Sequence, residues 1–409
     1  MIKLSKEQIK ELEKEDGLPL YIFNSDEFID NYIEIKETFS AVYPKYEIAY
    51  SYKTNYTPAI CKTVKELGGY AEVVSDMEYQ LALDLGYPAE KIIFNGPAKG
   101  KFFEKHILKN GLMNIDNWEE VLRVCNLAQN HPEQNLSVGV RVNFDISAGY
   151  ISRFGIDIDE LQEVFDILEM NDVRVEGLHC HLSRARDLEA WRKRAEEIIK
   201  LIQKYNMSDL RYVSLGSGMY GHMDEALASQ FCGHVPNYKE YAETVFGVFA
   251  AFYDTNKDYQ KPIIFTEPGT TLVSKYVDFV GKVTALKSIR GKQFAFLNCS
   301  FHNLGETAQM KNLPIELFSN HNSSETLENA DFVGYTCLEQ DVLYRNYSGK
   351  LGVGDYVEFG NVGGYSLVDK PPFIMPNCPM IALGTSVSNG KKLVKKQEMY
   401  DDIFHTFIY

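Results

Sequence analysis

The chain has 409 residues, of which 45% are hydrophobic and 24% are charged, a balance typical of a soluble globular protein with a large core. Its formal net charge is −15, and no Lys/Arg-rich run is interleaved with aromatic residues, which argues against nucleic acid and anionic membranes as partners. No stretch reaches the roughly 18 consecutive apolar residues of a membrane span, and the charged start is unlike a signal peptide, so we expect a cytoplasmic protein.

The cysteines argue against a disulfide framework. There are seven of them, they are widely scattered, and none shows CxxC spacing. An odd number of isolated cysteines is typical of free thiols in a reducing compartment. We therefore expect neither disulfide bonds nor a structural zinc site.

The first elements are a charged helix, a strand at residues 18–23 and a second helix that Ser25 is expected to cap and that runs to about Phe39. Short apolar segments then alternate with helical ones over about 230 residues. The predicted strands are 46–53, 70–75, 91–96, 112–116, 137–143, 175–182, 211–218 and 262–269. This alternation predicts an eight-stranded parallel β/α barrel, with an open doubly wound sheet as the alternative.

After Glu267 the helical rhythm stops and β-rich segments with Gly and Asn turns follow. We expect a second, mainly antiparallel β domain from about residue 275 to the end. The polar segment 303–330 is expected to be an irregular loop.

The ends of the predicted barrel strands carry most of the chemistry, and in such barrels the strand ends build the open mouth. Lys53 ends the first of these strands. A lysine in a crowded, partly apolar mouth loses solvation of its charged form, so its amine becomes available to attack a carbonyl group. The other strand ends carry Ser75, Gly96, Arg141, Asn143, His179, His181, Gly216, Ser217, Gly218 and Glu267.

Three of these strand ends allow several interpretations. Gly216 to Gly218 form either an anion-binding turn or a plain tight turn. His179 and His181 lie on one face of a strand, and they could bind metal, be buried structural residues, or stack on a flat cofactor. Glu267 is either a rim ion pair or the partner of a protonated ring nitrogen. Lysine, anion turn, stacking ring and carboxylate together describe a pyridoxal 5'-phosphate pocket.

The motifs also resemble a known family. The segments are YSYKTN, AEVVS, IIFNGPAKG, RVN, SRFG, GLHCHL, LGSG, EPG, TCLEQD and GGY, in that order. They are similar to those of the fold-type III pyridoxal phosphate decarboxylases, which include diaminopimelate, ornithine, arginine and carboxynorspermidine decarboxylases. The resemblance implies an alanine-racemase-like barrel over 36–274 and a β domain formed by 1–35 with 275–409. It also implies a head-to-tail homodimer with shared active sites.

The resemblance assigns roles to individual residues. Lys53 matches the cofactor lysine, His181 the stacking histidine and Glu267 the pyridinium partner, while Gly216, Ser217 and Gly218 match the phosphate loop. Cys337 matches the acid supplied by the neighbouring subunit, and Tyr365 a tyrosine that reaches across the interface. In the implied reaction an amino acid replaces Lys53 in an external aldimine and loses CO2 through a quinonoid, and Cys337 then returns a proton.

Several positions depart from the family pattern. Thr270 stands where Arg is common after EPG, and Leu338 where an acid often follows the cysteine. Leu313-Pro314 replaces the Arg-Pro pair of diaminopimelate decarboxylases. Ser183 or Arg184 is expected to take over part of the phosphate contact, a solvated loop arginine being the alternative.

The reaction class is therefore better defined than the substrate. We expect decarboxylation of an amino acid or a derivative of one, in amino acid metabolism or polyamine biosynthesis. The candidates for substrate recognition are Arg141, His302, Asn303, Glu306, Leu338 and Asp341. Two alternatives are a racemase on the same barrel, against which Cys337 argues, and a catalytically silent homologue that binds a protein partner.

Overall fold

The computed structural model describes residues 2, 4–146, 149–182, 184–320, 324–387 and 390–408. The chain divides into two compact units. The sheet unit comprises Met1–Asn31, His222–Gly233 and Leu272–Tyr409, and the barrel unit comprises Tyr32–Gly221 and His234–Thr271. His222–Gly233 thus groups with the sheet unit although it lies inside the predicted barrel range, and the predicted domain bounds stay a prediction. Among the described residues, no helix is long and apolar enough to cross a membrane.

The strands follow one another along both units. They are β1 (Leu20–Asn24), β2 (Tyr46–Ser51), β3 (Tyr70–Val73), β4 (Ile92–Phe94), β5 (Leu112–Ile115), β6 (Ser137–Asn143), β7 (Ile156–Asp157), β8 (Arg174–His179), β9 (Tyr212–Ser214), β10 (Ile263–Thr266), β11 (Val277–Ile289), β12 (Lys292–Leu297), β13 (Ile315–Phe318), β14 (Glu325–Val333), β15 (Val342–Leu351), β16 (Tyr356–Phe359), β17 (Met380–Leu383) and β18 (Lys391–Lys395).

The helices belong to both units, and in the barrel unit they alternate with the strands. They are α1 (Lys6–Glu15), α2 (Ser25–Val42), α3 (Pro58–Glu66), α4 (Asp76–Asp84), α5 (Phe103–Leu108), α6 (Trp118–Asn130), α7 (Leu161–Met170), α8 (Leu188–Lys204), α9 (Glu225–Ala228), α10 (Tyr238–Tyr241), α11 (Gly247–Thr255), α12 (Thr270–Val273), α13 (Glu306–Met310) and α14 (Tyr400–Phe404).

The predicted barrel is confirmed, and the open sheet is excluded. In the described part of the chain, eight parallel strands lie side by side in the order β5, β4, β3, β2, β10, β9, β8 and β6, and β5 also pairs with β6 to close the ring. Ser51 of β2 lies opposite Glu72 of β3, and His179 of β8 lies opposite Ser214 of β9. Because the strands are parallel, their carboxyl ends and the residues that follow them meet at one rim.

Aromatic packing fills the inside of the barrel. Tyr212, Tyr70 and Phe265 belong to one buried cluster. A Cβ atom at Gly139 or Gly177 would lie 2.2 or 2.3 Å from the Tyr212 side chain, so these glycines make room for that ring. The interior is therefore packed, and an open space is left at the rim.

The sheet unit is mainly antiparallel, as predicted. β11 pairs antiparallel with β1, β12 and β16, and β14 pairs antiparallel with β15. Parallel pairs join β1 to β17 and β12 to β14.

Two local predictions in this unit were wrong. Residues 303–330 are not an irregular loop, because they contain α13, β13 and the start of β14. Their polar side chains face outward from paired strands, which hides the strand pattern. Ser25 is not the cap of α2, since the Asn24 side chain accepts the Glu27 N–H at 3.2 Å while the Ser25 hydroxyl donates to the Leu383 carbonyl.

Candidate active site

A cavity of about 540 Å³ opens at the rim of the barrel unit. Residues that belong to or follow six different strands, β2, β3, β4, β6, β8 and β10, contribute to its wall, which is how a parallel barrel collects chemistry from distant parts of a chain. The lining includes the predicted residues Lys53, Arg141, His179, His181, Arg184 and Glu267.

Lys53 enters the cavity from a turn. β2 ends at Ser51, and Lys53 lies in the 3₁₀ turn Tyr52–Thr54 that follows, so it is not the last residue of the strand as predicted. Its Nζ is 2.5 Å from Glu72 Oε2, and Glu72 is only 1% exposed. The Ser51 hydroxyl donates to the same carboxylate oxygen. The amine of Lys53 therefore has a buried anionic partner that holds its position.

Glu267 is a buried carboxylate held in its ionised form. It accepts hydrogen bonds from Ser214 Oγ at 2.7 Å, Asn95 Nδ2 at 3.0 Å and His179 Nε2 at 3.2 Å. Burial acts to raise the pKa of Glu267, but the charge and hydrogen bond of His179, with the charge of Lys53, hold that pKa well below its usual range. A carboxylate of this kind can stabilise a positively charged group of a ligand beside it.

Asn95 connects the two buried carboxylates. Its amide nitrogen donates to Glu72 Oε1 at 3.1 Å and to Glu267 Oε1 at 3.0 Å. Its amide oxygen accepts from Asn114 Nδ2 at 2.8 Å, and Asn114 in turn accepts from the Tyr212 hydroxyl at 2.9 Å. The amine end and the carboxylate end of the cavity thus belong to one hydrogen-bond network.

His181 lies against the turn of Gly216 to Gly218. Its Nδ1 accepts the Ser217 N–H at 2.9 Å, which leaves the proton on Nε2 in the neutral ring. Burial, reinforced by the charges of Lys53 and Arg141, holds the pKa of His181 well below its ordinary value. The ring is therefore neutral at physiological pH and acts as a flat wall of the cavity.

The turn itself depends on its glycines. Gly216 has φ +65°, and a Cβ there would lie 2.6 Å from His181 Nδ1 and 2.7 Å from the Cys180 carbonyl. Gly218 has φ +106°. Only glycine satisfies both the backbone conformation and the close approach at Gly216.

Other predicted residues of the barrel unit lie around this centre. Arg141 pairs with Asp116 at 3.2 Å and donates to the His181 carbonyl. Arg184 lines the cavity with an exposed side chain, and Ser183 lies outside the described residues. His179 is bonded to Glu267, and in the described ranges no three His, Cys, Asp or Glu side chains are grouped to hold a metal ion.

The predicted residues of the sheet unit occupy different environments. Cys337 is exposed, and Leu338 and Tyr365 are half-buried. Asp341 is buried and binds the turn that carries Cys337, because its carboxylate accepts the N–H and the hydroxyl of Thr336. The catalytic and binding roles of these residues stay predictions.

The three candidates on the segment after Ser300 also differ. His302 packs on Phe301 with ring centroids 4.0 Å apart, and Glu306 is exposed in the first turn of α13. Asn303 is fully buried and caps its own turn by accepting the Ser300 N–H at 3.0 Å. Its part in substrate recognition stays a prediction, which this burial disfavours.

Sequence reasoning missed the acid and the amide that organise the cavity. Glu72 is the one charged residue in the apolar strand β3, and that contrast was the available signal. Asn95 directly follows β4, in the same position relative to its strand as other rim residues. Ser214, whose hydroxyl donates to Glu267, was missed as well; it ends β9, and nothing in the local sequence marks it as a site residue.

These residues fit pyridoxal 5'-phosphate. The cavity is lined by an amine for an aldehyde, an ionised carboxylate for a protonated ring nitrogen and a neutral flat ring. The glycine turn of Gly216 to Gly218 is not among the lining residues, but it lies directly against the His181 ring, where a Cβ at Gly216 would not fit.

The comparisons with known proteins agree with this fit. The chain matches "Pyridoxal-dependent decarboxylase, pyridoxal binding domain" over residues 29–274 and "Pyridoxal-dependent decarboxylase, C-terminal sheet domain" over 270–363. It is 26% identical to a diaminopimelate decarboxylase of Aquifex aeolicus, with 97% of this chain and 93% of the relative covered. A diaminopimelate decarboxylase of Bacteroides thetaiotaomicron is 27% identical, with 85% and 90% covered.

Among solved structures, the fold is similar to that of diaminopimelate decarboxylase from M. jannaschii in complex with L-lysine. The TM-score is 0.83 at 22% identity, and 98% of this chain and 94% of that chain are covered.

Proposed function

The chain belongs to the pyridoxal-dependent decarboxylases, and from that premise we propose that it decarboxylates diaminopimelate. Two considerations favour this substrate over other amino acids. The relatives that match it over nearly their whole length carry that name. L-Lysine, with which the M. jannaschii protein was crystallised, is what remains when diaminopimelate loses one carboxylate.

The observation that carries the proposal is the cavity in which Lys53 and Glu267 are joined through Asn95. When bound, pyridoxal 5'-phosphate supplies an aldehyde and an electron-accepting ring that stabilises the charge left as CO2 departs. Lys53 Nζ is the amine that binds the aldehyde carbon. Glu267 holds the proton of the ring nitrogen, because a carboxylate with its pKa well below the usual range favours a positive charge beside it.

The remaining cavity residues orient and shield the ring. Neutral His181 covers one face without competing for the ring proton, and its Nδ1 is fixed by the Ser217 N–H. The turn of Gly216 to Gly218 holds the phosphate. Glu72 would hold the Lys53 amine in the cavity during turnover, when the substrate amine has taken its place on the aldehyde.

The proton donor to the substrate carbon is assigned to Cys337 of a second copy of the chain, with Tyr365 from the same copy near the cofactor. The exposed cysteine is suited to such a role, since a donor to a partner's site must be accessible. This arrangement requires a homodimer in which each site is built from two chains.

Release of CO2 from single amino acids tests the proposal directly. We expect turnover with diaminopimelate and little with lysine, ornithine, arginine or carboxyalkyl polyamines. Inversion of a substrate without CO2 would instead establish the racemase. A protein that binds no pyridoxal 5'-phosphate and leaves no adduct after borohydride would establish the silent homologue.

The role of Lys53 can be located by mass spectrometry. Borohydride treatment of the cofactor-loaded protein should leave a pyridoxyl group on the peptide that contains Lys53. Lys53→Ala should abolish both the adduct and CO2 release, whereas Lys62→Ala, an exposed lysine on α3, should leave both unchanged. An adduct on another lysine would refute the assignment.

Mixing two inactive variants tests the shared site. Lys53→Ala and Cys337→Ala should each be nearly inactive as pure dimers. After mixing in equal amounts, half of the dimers pair one chain of each kind and have one intact site, so about a quarter of the wild-type activity should return. No recovery after verified exchange of subunits would show that Cys337 acts within its own chain or not at all.

A further inference from the structure

A buried arginine lies behind the anion-binding turn. Arg194 projects from α8 and is 0% exposed. Its guanidinium donates to the carbonyls of Ser217 at 2.9 Å, Leu182 at 2.5 Å and Ala185 at 2.8 Å. It therefore joins the turn after β9 to the loop after β8, the two loops that flank the expected phosphate.

Within the described ranges this arginine forms no ion pair, and Asp187, whose charge acts on it, lies beyond ion-pair distance. Among the described residues its hydrogen bonds go to carbonyl oxygens, its Nε is buried without an acceptor, and no carboxylate forms an ion pair with it. The Trp191 ring lies 4.4 Å from the guanidinium carbon and attracts it through its electron-rich face, but the ring carries no negative charge that could neutralise the arginine. Buried charges are normally paired, because taking an isolated charge out of water is very costly.

The geometry of the Ser217–Gly218 peptide indicates where an anion belongs. The Ser217 carbonyl accepts from Arg194. In a planar trans peptide the N–H of the next residue points opposite to the carbonyl. The Gly218 N–H is thus directed away from Arg194, and the arginine sets its orientation. The guanidinium lies close to this peptide on its carbonyl side, since a Cβ at Gly218 would lie 3.7 Å from Arg194 Nη2.

We propose that Arg194 is the positioning residue for the cofactor's phosphate: it orients the turn of Gly216 to Gly218, and its buried charge is neutralised by the phosphate dianion bound on the other side of that turn. The arginine does not touch the phosphate. Its charge acts through one layer of backbone, where the low dielectric of the interior strengthens the attraction. The inference rests on the proposed function, in that the turn must be the phosphate site.

The test compares affinities for pyridoxal 5'-phosphate and for pyridoxal, which lacks the phosphate. Both are measured on the cofactor-free protein by equilibrium dialysis. Arg194→Gln keeps an amide that can bind carbonyls but removes the charge, and it should lower the affinity ratio of phosphate ester to pyridoxal by about 10- to 100-fold. Arg194→Lys keeps the charge, and its ratio should stay within about threefold of wild type.

The matched control is Arg192→Gln. Arg192 lies on the same helix but is exposed and pairs with Glu189 and Glu196. The affinity ratio of phosphate ester to pyridoxal should therefore be the same in Arg192→Gln as in the wild type. If Arg194→Gln weakened both ligands alike, the residue would be a structural brace only and the proposal would be overturned. The same holds if Arg194→Lys lost as much discrimination as Arg194→Gln.

A measurement on the wild-type protein covers the case in which the variants do not fold. Millimolar inorganic phosphate should raise the unfolding temperature of the cofactor-free protein, whereas chloride at equal ionic strength should not. The absence of any difference would overturn the proposal. A protein that forms no lysine adduct even with pyridoxal would refute the proposed function itself, which is a separate outcome.

Discussion

Replacing Asn95 by Ala removes the donor that two buried carboxylates share. Asn95 is 3% exposed, and its amide donates to Glu72 at 3.1 Å and to Glu267 at 3.0 Å. A hydrogen bond to a charged group contributes about 1.5–3 kcal/mol, so the loss of two should lower the free energy of unfolding by about 3–6 kcal/mol. Urea unfolding of the cofactor-free protein near pH 7 measures this difference.

The pH dependence of that difference identifies its cause. Because the folded pKa of Glu267 is lowered, its ionisation contributes stability that is present above the unfolded carboxyl pKa of about 4.3 and is lost as the pH falls through the folded value. The variant has one donor fewer, so the pKa of Glu267 rises and this stability is lost at a higher pH. The difference in the free energy of unfolding between wild type and variant should therefore be largest at neutral pH and small in acid.

Two further variants sharpen the test. Asn95→Asp has the same shape but places a third acid between Glu72 and Glu267. Near pH 7 it should therefore lower the free energy of unfolding more than Asn95→Ala does. Asn130→Ala removes an exposed asparagine of α6 and should change stability by less than about 0.5 kcal/mol. A gap between wild type and Asn95→Ala that is the same at every pH would refute the reasoning, because it would reflect lost packing alone.

Three other predictions concern a turn and two buried pairs. Gly216→Ala should weaken cofactor binding in equilibrium dialysis by about tenfold or more. The control is Gly68→Ala: Gly68 has φ +85° and open space around it, so the substitution introduces backbone strain without a clash and should leave binding unchanged. Burial, followed by the nearby charge of Asp278, raises the pKa of Glu358, and burial also raises the pKa of Asp278. Because both carboxyl groups are more easily ionised in the unfolded chain, the free energy of unfolding should fall as the pH rises above about 4. Urea unfolding at several pH values should show a smaller fall for Glu358→Gln. Lys99 and Glu120 form a buried pair at 2.6 Å, and Lys99→Met alone should cost about 3–5 kcal/mol in unfolding, more than Lys99→Met with Glu120→Leu.

The barrel could be predicted because its strands are nearly continuous apolar runs between amphipathic helices. β2, with one half-buried residue among buried ones, is typical of a strand covered on both faces. The edge elements of the sheet unit could not be predicted in the same way. β13 has only four residues, and the exposed, charged Glu316 interrupts its apolar side chains, so it is too short to be identified as a strand until its partner β16 is known.

Apart from Glu72, the charged and glycine residues of the site could also be predicted, because each stands out against an apolar strand. Lys53, His181 and Glu267 are of this kind, and the structure gathers them in one cavity. Asn95 and Arg194 could not, because neither residue type is unusual in its local sequence. Their importance comes from what the fold places beside them, namely two carboxylates in one case and three carbonyls in the other.

Closure of the barrel determines how the site is ordered. Along the chain the order is amine, imidazole, turn and carboxylate, at Lys53, His181, Gly216 to Gly218 and Glu267. Around the rim β10 lies between β2 and β9, so the carboxylate comes between the amine and the turn. The Glu267 N–H donates to the Gly216 carbonyl at 2.7 Å, which joins carboxylate and turn through the backbone. A flat cofactor held at both the lysine and the turn would therefore lie beside Glu267. In an open sheet, in which β10 and β2 did not pair, the same residues would not meet.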